Sequence, residues 1–518
     1  MPALPWQGAR VLRSSSPGVH ALQAWLKASA AGSEHPEACG AAAAAAGPDP
    51  WQALAAATPL ARARPGVAHQ DLGLDLRLRT LPVDHPRAVV RVAAGAPCPV
   101  PAPGQRKAMG AFDTPPAMAR RAVGLGIEAV RGTARRGLDT ACGTGTFLLA
   151  MQQAGVPEVH GEDLDPVALA VARVVVPGAR LERRDGLEDG GEVDLVVGNP
   201  PFVPPELQDK ALRRALRERL PWLHGRFDLA VPFAWLCSQR LRPGGGLCLV
   251  LPSPLLVQPY GLELRRRWLT QHRFTFLGRP EAFPGARVQV VVVALQAGAG
   301  PAPLPPHAVP VEEVLALPAV PLSARQRPGD TALLDRVRSA SVELGELFEV
   351  DTGVVAHGPR HRRTELVHDQ PGPGWLPFAE ARDLRHGQRR WLDYQPERMH
   401  RCKRPALFEG PKLLVPRVVA ARPLEVFVDP GGLWVGHTVN VLRPRVADVP
   451  LEWVAELLRR PAMRAVLRLE RGERLDVYPR DLRSLPVPAR WRDQPGQPLQ
   501  QAWGLDDPGW ARLLTLGA

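Results

Sequence analysis

Short apolar runs alternate with longer helix-like stretches between about residues 107 and 297. The apolar runs read RGLDTACG, VHGEDLD, VDLVVGNPP, GGLCLVLP and RVQVVVVAL. Buried strands separated by helices are typical of βαβ units built around a mostly parallel sheet. The pattern therefore predicts an α/β domain over 106–299.

Proline-rich segments divide the rest of the chain. Residues 1–105 are rich in Ala, Pro and Arg, and they receive no functional assignment. A linker is predicted over 300–335. Beyond it, apolar runs such as KLLVPRVV and LWVGHTVNVL and a late amphipathic stretch predict an α+β domain over 336–490. Residues 491–518 are interpreted as a tail.

Composition narrows the class of protein. The formal charge of +13 is carried mainly by arginine and favours a polyanionic partner such as nucleic acid. The six cysteines form no C-x-x-C pair, which argues against a zinc site or a disulfide framework. No apolar run reaches the roughly 20 residues of a membrane span, and no secretion signal is evident. We expect a cytoplasmic protein that does not enter membranes.

The first strand-to-helix turn, LDTACGTGTFL, indicates a small ligand. Gly143 and Gly145 allow the backbone to approach a ligand at a helix N-terminus. The turn is not G-x-G-x-x-G, because Leu148 occupies the third position, and it lacks the Gly-Lys-Ser/Thr of a phosphate loop. Asp139, at the preceding strand end, would repel a pyrophosphate and would suit an ammonium group.

Two further acids follow the next strands. Asp163 in GEDLDP is placed to accept both hydroxyls of a ribose. Asp185 in RRDG is spaced to accept a hydrogen bond from the amino group of an adenine ring. A ligand with an amine, a ribose and an adenine but no phosphate is S-adenosylmethionine, which is the predicted cofactor.

The run VDLVVGNPPF places Asn199, Pro200 and Phe202 after the fourth strand, at the crevice where open α/β sheets bind ligands. The Asn199 side-chain oxygen and the Pro200 carbonyl can accept the two hydrogens of an exocyclic amine. The prolines stiffen the turn, so that the acceptors are preorganised. Phe202 can stack on a base that has been flipped out of a duplex.

These motifs, in this order over about 107–488, resemble the TaqI-like branch of the N6-adenine DNA methyltransferases of restriction–modification systems. The resemblance implies a Rossmann-like S-adenosylmethionine-dependent methyltransferase fold and a mechanism without a metal. It implies cofactor contacts from residues in several motifs: Thr114, Ala141, Leu164, Pro201 and Phe233. In EAFPGARVQVVVVAL it implies that Phe283 forms a second wall for the flipped base.

The C-terminal region resembles the target-recognition domain of the same branch. The matching blocks are LGELFEVDTGVV, FAEARDLRHG, PKLLVPRVV and RDLRSLPVP. The resemblance implies contacts to double-stranded DNA, for which Arg360, Arg389 and Arg417 are the candidates. A generic α/β accessory domain is the alternative interpretation of these blocks.

The chain departs from the family pattern in three places. Phe202 stands where many members carry Tyr, and Gly186 follows Asp185 where a bulky apolar residue often covers the cofactor adenine. Residues 1–105 have no counterpart in the minimal enzyme and show no nuclease motif, which leaves a separate restriction endonuclease or defence protein as the expected partner. An RNA or protein-glutamine methyltransferase and an inactive DNA-binding subunit are the competing functions.

Overall fold

A computed structural model describes residues 114–518 except 284–288, 358–362, 419–422, 447, 475 and 495. The predicted N-terminal segment, 1–105, lies outside the described residues. The chain forms two compact units. Unit 1 extends to Leu315 and includes Leu322–Ala324, and unit 2 comprises Ala316–Pro321 and Arg325–Ala518.

Unit 1 is built on a seven-stranded sheet of order β3-β2-β1-β4-β5-β7-β6. β1 to β5 run parallel, and β7 is antiparallel to both of its neighbours, β5 and β6. The strands are β1 Arg136–Asp139, β2 Glu158–Asp163, β3 Arg180–Arg183, β4 Val193–Gly198, β5 Leu241–Pro252, β6 Arg273–Leu277 and β7 Val290–Gln296. The predicted α/β fold with a mostly parallel sheet is confirmed.

Helices connect these strands and cover the sheet. They are α1 Pro116–Ala129, α2 Thr146–Gln153, α3 Pro166–Val175, α4 Lys210–Arg219, α5 Ala230–Gln239 and α6 Leu262–Gln271. All six residues of β4 are buried, and the middle of β5 is buried as well. Strands that are buried on both faces read as continuous apolar runs, which explains the sequence pattern. No helix in the described part of the chain is both long and apolar enough to cross a membrane.

The described residues of unit 2 form three small sheets. Their orders are β10-β12-β11-β15, β14-β13-β16-β9 and β17-β8. The strands are β8 Ser341–Glu343, β9 Phe348–Thr352, β10 Val367–His368, β11 Leu376–Ala379, β12 Arg390–Leu392, β13 Lys412–Pro416, β14 Phe427–Asp429, β15 Trp434–Val435, β16 Val439–Pro444 and β17 Pro486–Pro488. The α+β character predicted for this region therefore appears as strands and helices packed around two apolar clusters.

Helices extend across the boundaries predicted from composition. The proposed linker contains α7 Val311–Ala316 and the start of α8 Asp330–Ser339. The segment interpreted as a tail carries α14 Leu499–Ala502 and α15 Asp507–Gly517, and its Trp503 and Leu513 are buried in the core of unit 2. Proline is tolerated in the first turn of a helix, so proline density there does not exclude folded structure. The remaining helices are α9 Leu344–Leu347, α10 Ala381–Arg385, α11 Leu451–Arg459, α12 Pro461–Arg471 and α13 Pro479–Arg483.

Candidate active site

Three neighbouring parallel strands end at the same edge of the unit 1 sheet. β1 ends at Asp139, β2 ends at Asp163, and β4 ends at Gly198, immediately before Asn199. Because β1 pairs with both β2 and β4, the topology brings these three chain segments together. This edge is where ligands bind in open α/β sheets.

Asp139 is a buried acid with an unsatisfied oxygen. Asp139 is only 2% exposed to solvent. Oδ1 accepts a hydrogen bond from the Ala141 backbone N–H at 3.1 Å, whereas Oδ2 has no hydrogen-bond partner among the described residues. Burial raises the pKa of Asp139 to about 8. A cationic group placed against Oδ2 would therefore gain a carboxylate partner.

Gly198 links this acid to the Asn199 turn. A Cβ atom built on Gly198 would lie 2.6 Å from Oδ1 of Asp139. No other residue type fits there without displacing the carboxyl group. Glycine at the end of β4 thus allows the first strand's acid and the fourth strand's polar turn to approach each other closely.

Asp163 shapes the glycine turn. Its Oδ2 accepts a hydrogen bond from the Gly143 N–H at 2.7 Å, and its Oδ1 accepts one from Asp165 at 2.8 Å. Gly145 adopts a positive φ of 95° directly before α2, a conformation that favours glycine.

Asp185, Gly186 and Phe233 meet near the end of β3. Asp185 is 7% exposed, and its Oδ1 accepts a hydrogen bond from Leu187 at 3.0 Å. A Cβ on Gly186 would overlap the Thr140 carbonyl oxygen and lie 3.0 Å from the Phe233 ring. Glycine is therefore required at 186, because the turn after β1 passes too close to leave room for a side chain. The ring of Phe233, from α5, covers the place where a larger residue at 186 would lie.

The Asn-Pro-Pro-Phe turn is only partly open to solvent. Asn199 is half-buried, and Phe202 is 6% exposed. Phe283 is 4% exposed, and Thr114, at the entry to α1, is 6% exposed. Among the other predicted contact residues, Ala141, Leu164 and Pro201 are half-buried and Pro200 is buried.

Two residues that sequence reasoning missed hold the chain just after Phe202. The buried Gln208 amide donates hydrogen bonds to the carbonyls of Val203, at 2.7 Å, and Phe227, at 2.8 Å. The Asp228 carboxylate accepts from the Val203 N–H and from the Ala230 N–H, and burial raises the pKa of Asp228 to about 6. Gln208 and Asp228 lie 5 and 25 positions from Val203 in the sequence, and no local pattern marks them.

A buried ion pair supports the end of β2. Arg240 donates to both carboxylate oxygens of Glu162, at 2.8 and 3.2 Å, and both residues are less than 10% exposed. Glu162 precedes Asp163 in the strand, and Arg240 follows α5, which carries Phe233. The pair therefore connects the segments that present these two predicted cofactor contacts. Its members were not singled out in the sequence, because isolated charges usually lie on the surface.

The arginines proposed for DNA contacts lie in different settings in unit 2. Arg360 falls outside the described residues. Arg389 is exposed. The Arg417 guanidinium stacks 4.4 Å from the centroid of the Tyr478 ring and donates to the His437 carbonyl at 3.2 Å. Among the described residues, no group of three His, Cys, Asp or Glu side chains could hold a metal ion.

Comparison with known proteins gives a family match over the central motifs and sequence relatives over a larger part of the chain. The family described as Eco57I restriction-modification methylase matches residues 164–277. Type II methyltransferase M.TthHB8I of Thermus thermophilus is 30% identical over 58% of this chain and 70% of its own length. A Yersinia pestis tRNA1(Val) (adenine(37)-N6)-methyltransferase is 26% identical over 28% of this chain and 62% of its own length. A cryo-EM structure of a DrdV–DNA complex aligns with 73% of this chain and 56% of that chain, at 12% identity and a TM-score of 0.49.

Proposed function

Because the chain belongs to the type II methyltransferases of restriction–modification systems, we propose that it methylates the N6 atom of adenine at a specific DNA sequence. The family membership rests on the Thermus relative, of which the chain covers 70%. The methyl donor is S-adenosylmethionine. We further propose that the adenine is flipped out of the duplex and that unit 2 selects the sequence.

One observation carries this proposal. The Asn199-Pro200-Pro201-Phe202 turn follows β4 and lies beside the buried Asp139 at the end of β1. A donor site and an acceptor site for methyl transfer must adjoin each other. The edge formed by β1 and β4 offers an acid for a cationic ligand and two carbonyl-type acceptors for an amine.

The residues present fit S-adenosylmethionine. The free Oδ2 of Asp139 suits the ammonium of its methionine part, Asp163 suits the ribose hydroxyls, and Asp185 suits the adenine. Phe233 offers an apolar surface beside Gly186 for the adenine ring. When bound, this cofactor supplies a methyl group activated by its sulfonium.

The chain's own groups would orient the target. The Asn199 side-chain oxygen and the Pro200 carbonyl would accept the two amino hydrogens of the base and direct the nitrogen lone pair at the methyl group. Phe202 and Phe283, both almost fully buried, would border the base in its pocket. This is catalysis by preorganised acceptors, without a metal or a covalent intermediate.

A related RNA activity is the competing function. The Yersinia tRNA methyltransferase matches only 28% of this chain. The basic charge of +13 and the large second unit favour a long polyanion that is read over several base pairs. We therefore favour duplex DNA as the substrate, with a separate restriction endonuclease or another defence protein as a partner.

The deciding experiment is to incubate unmodified phage DNA with purified protein and S-adenosylmethionine and to map N6-methyladenine by single-molecule sequencing. Methylation confined to one short motif is expected. Labelling of transfer or ribosomal RNA, with none of DNA, would support the RNA activity. Cofactor binding measured by calorimetry without methylation of either substrate would contradict both functions.

Replacing Phe202 by Ala is expected to weaken binding of the flipped-base complex. Loss of one base–aromatic stacking contact costs about 1–3 kcal/mol. The measurement is the dissociation constant for a duplex with 2-aminopurine at the target position, together with its fluorescence. Phe202→Tyr keeps the ring and should retain both affinity and activity. An unchanged affinity and rate in Phe202→Ala would remove the proposed role of this ring.

Cofactor binding is expected to release a proton from Asp139. With its pKa raised to about 8, the carboxyl group is mostly protonated in the free protein at pH 7. A cationic ligand stabilises the ionised form, so the affinity should rise with pH up to about 8 and then level off. Calorimetry in two buffers with different ionisation enthalpies should show the release of about one proton.

Asp139→Asn serves as the control, because the amide does not titrate. This variant should bind the cofactor more weakly and without the buffer-dependent enthalpy. Equal binding enthalpies of the wild-type protein in the two buffers would contradict a protonated Asp139.

A further inference from the structure

Helix α4 carries a continuous basic face. Five of its ten residues are Lys or Arg, and Glu218 is its one acidic residue. Lys210, Arg213, Arg214 and Arg217 are spaced i, i+3, i+4 and i+7, which places them on the same side of the helix. The adjoining side of the helix is apolar, and Leu216 and the following Leu220 are buried there.

Two of the four cations on this face remain available to a partner. Lys210 and Arg214 are exposed. Among the described residues, Arg214 pairs with Glu218, at 2.8 Å, and both of these side chains are more than 60% exposed. A surface ion pair of this kind contributes little and is easily exchanged. Lys210 and Arg214 are therefore available to an anionic partner, whereas Arg213 on the same face is half-buried.

The loop that leads into α4 is fixed next to the Asn-Pro-Pro-Phe turn. It begins at Val203, the residue after Phe202. The Val203 carbonyl accepts hydrogen bonds from both the Gln208 amide, at 2.7 Å, and the Leu229 N–H, at 3.0 Å. Asp228 accepts from the Val203 N–H, so both polar backbone groups of this residue are held.

The other end of α4 is fixed as well. Arg219 donates to the Leu187 carbonyl and pairs with Asp189, in the turn that follows Asp185. The Arg217 guanidinium lies 5.8 Å from the centroid of the Phe227 ring. Two anchored ends make α4 a fixed element beside the Asn-Pro-Pro-Phe turn.

We propose that the basic face of α4 binds the phosphodiester backbone of the strand that carries the target adenine. The inference rests on the proposed DNA methylation, because a flipped base in the Asn199 turn brings its flanking phosphates next to this loop. Phosphate contacts hold a duplex in position without reading its sequence. The face would therefore contribute affinity and placement of the target base, while the choice of motif would lie elsewhere.

The test removes two exposed cations in the double variant Lys210→Gln/Arg214→Gln, which also breaks the surface ion pair between Arg214 and Glu218. Its matched control, Arg266→Gln/Arg273→Gln, removes two exposed cations from α6 and the edge strand β6. The pairs correspond closely, because Arg266 also has an exposed acidic partner, Glu263. Thermal unfolding should be unchanged in both variants.

The measured quantity is the dissociation constant for an unmethylated duplex that contains the recognition motif. It is measured with S-adenosylhomocysteine present, over a range of salt concentrations. Each lost phosphate contact lowers the slope of log K against log salt by about 0.9, so the α4 variant should lose about 2 in slope. Its affinity should fall on the order of tenfold at 0.1 M salt. The control should keep the wild-type slope, and both variants should methylate the same motif.

A wild-type slope in the α4 variant, or an equal loss of slope in the control, would overturn the proposed contact. Failure of the wild-type protein to methylate DNA at low salt would instead overturn the proposed function. A changed motif in the α4 variant would also overturn the inference, since it would show base reading rather than phosphate contact.

Discussion

Asn199→Ala is expected to abolish methyl transfer while cofactor binding survives. The substitution removes one of the two acceptors proposed to hold the adenine amino group. Deleting a single preorganised polar group of this kind costs about 10²–10³-fold in turnover, and here the same group also aims the nucleophile. The Asp139 carboxyl and the glycine turn are separate from the Asn199 side chain, so the cofactor site should remain intact.

The measurement is single-turnover methylation of a duplex bearing the motif, together with calorimetry of S-adenosylmethionine binding. Asn199→Asp is the matched control, because it retains a side-chain oxygen of similar reach and should keep measurable transfer. Full activity of Asn199→Ala would refute the proposed mechanism. Loss of cofactor binding in this variant would assign Asn199 to the cofactor site instead.

The sequence predicts the architecture of unit 1 well because its strands are buried on both faces. VDLVVG and GGLCLVLP are continuous apolar runs, and both occupy the middle of the sheet as β4 and β5. Unit 2 is harder to predict, because many of its strands have only two to four residues. Runs of this length carry too few side chains for a periodic signal.

Compositional boundaries were less informative than apolar periodicity. Proline density predicted a linker over 300–335 and a tail beyond 490, yet both segments contain helices. α15 begins with Asp507-Pro508, where the Asp506 side chain caps the helix and proline occupies the first turn. Arg512 of this helix pairs with Asp330 at 2.7 Å, an interaction across 182 positions that sequence periodicity does not reveal.

The candidate site, too, is only partly predictable from the sequence. Asp139, Asp163 and Asn199 can be located from sequence because each follows a recognisable strand, and parallel strands end at a common edge. The supporting groups cannot be located, because their partners come from distant loops. Their hydrogen bonds to partners 19 to 78 positions away form only in the folded chain, as Gln208, Asp228 and Arg240 show.

Gly186 shows how an apparent departure from a family pattern acquires a structural cause. The resemblance alone suggests that a missing bulky residue weakens the grip on the cofactor adenine. In the structure, any side chain at this position meets the Thr140 carbonyl oxygen. Phe233 lies next to the vacated space, so we expect its ring to supply the apolar surface that residue 186 cannot.

Gly186→Ala is therefore expected to impair cofactor binding despite adding a single methyl group. The methyl overlaps a backbone oxygen, which cannot rotate away, so the turn after β1 or the turn after β3 must shift. Overpacking of this kind costs about 1–3 kcal/mol. A shift of either turn moves Asp139 or Asp185, and the affinity for S-adenosylmethionine should fall about 5- to 150-fold.

Gly191→Ala is the matched control within the same connection, because nothing lies within 4 Å of a Cβ atom at that position. Isothermal titration should give wild-type affinity for this control and a large loss for Gly186→Ala. Unchanged affinity in Gly186→Ala would mean that the two turns can separate without disturbing the site. That outcome would remove the steric explanation for glycine at 186 and leave Phe233→Ala as the direct test of the adenine surface.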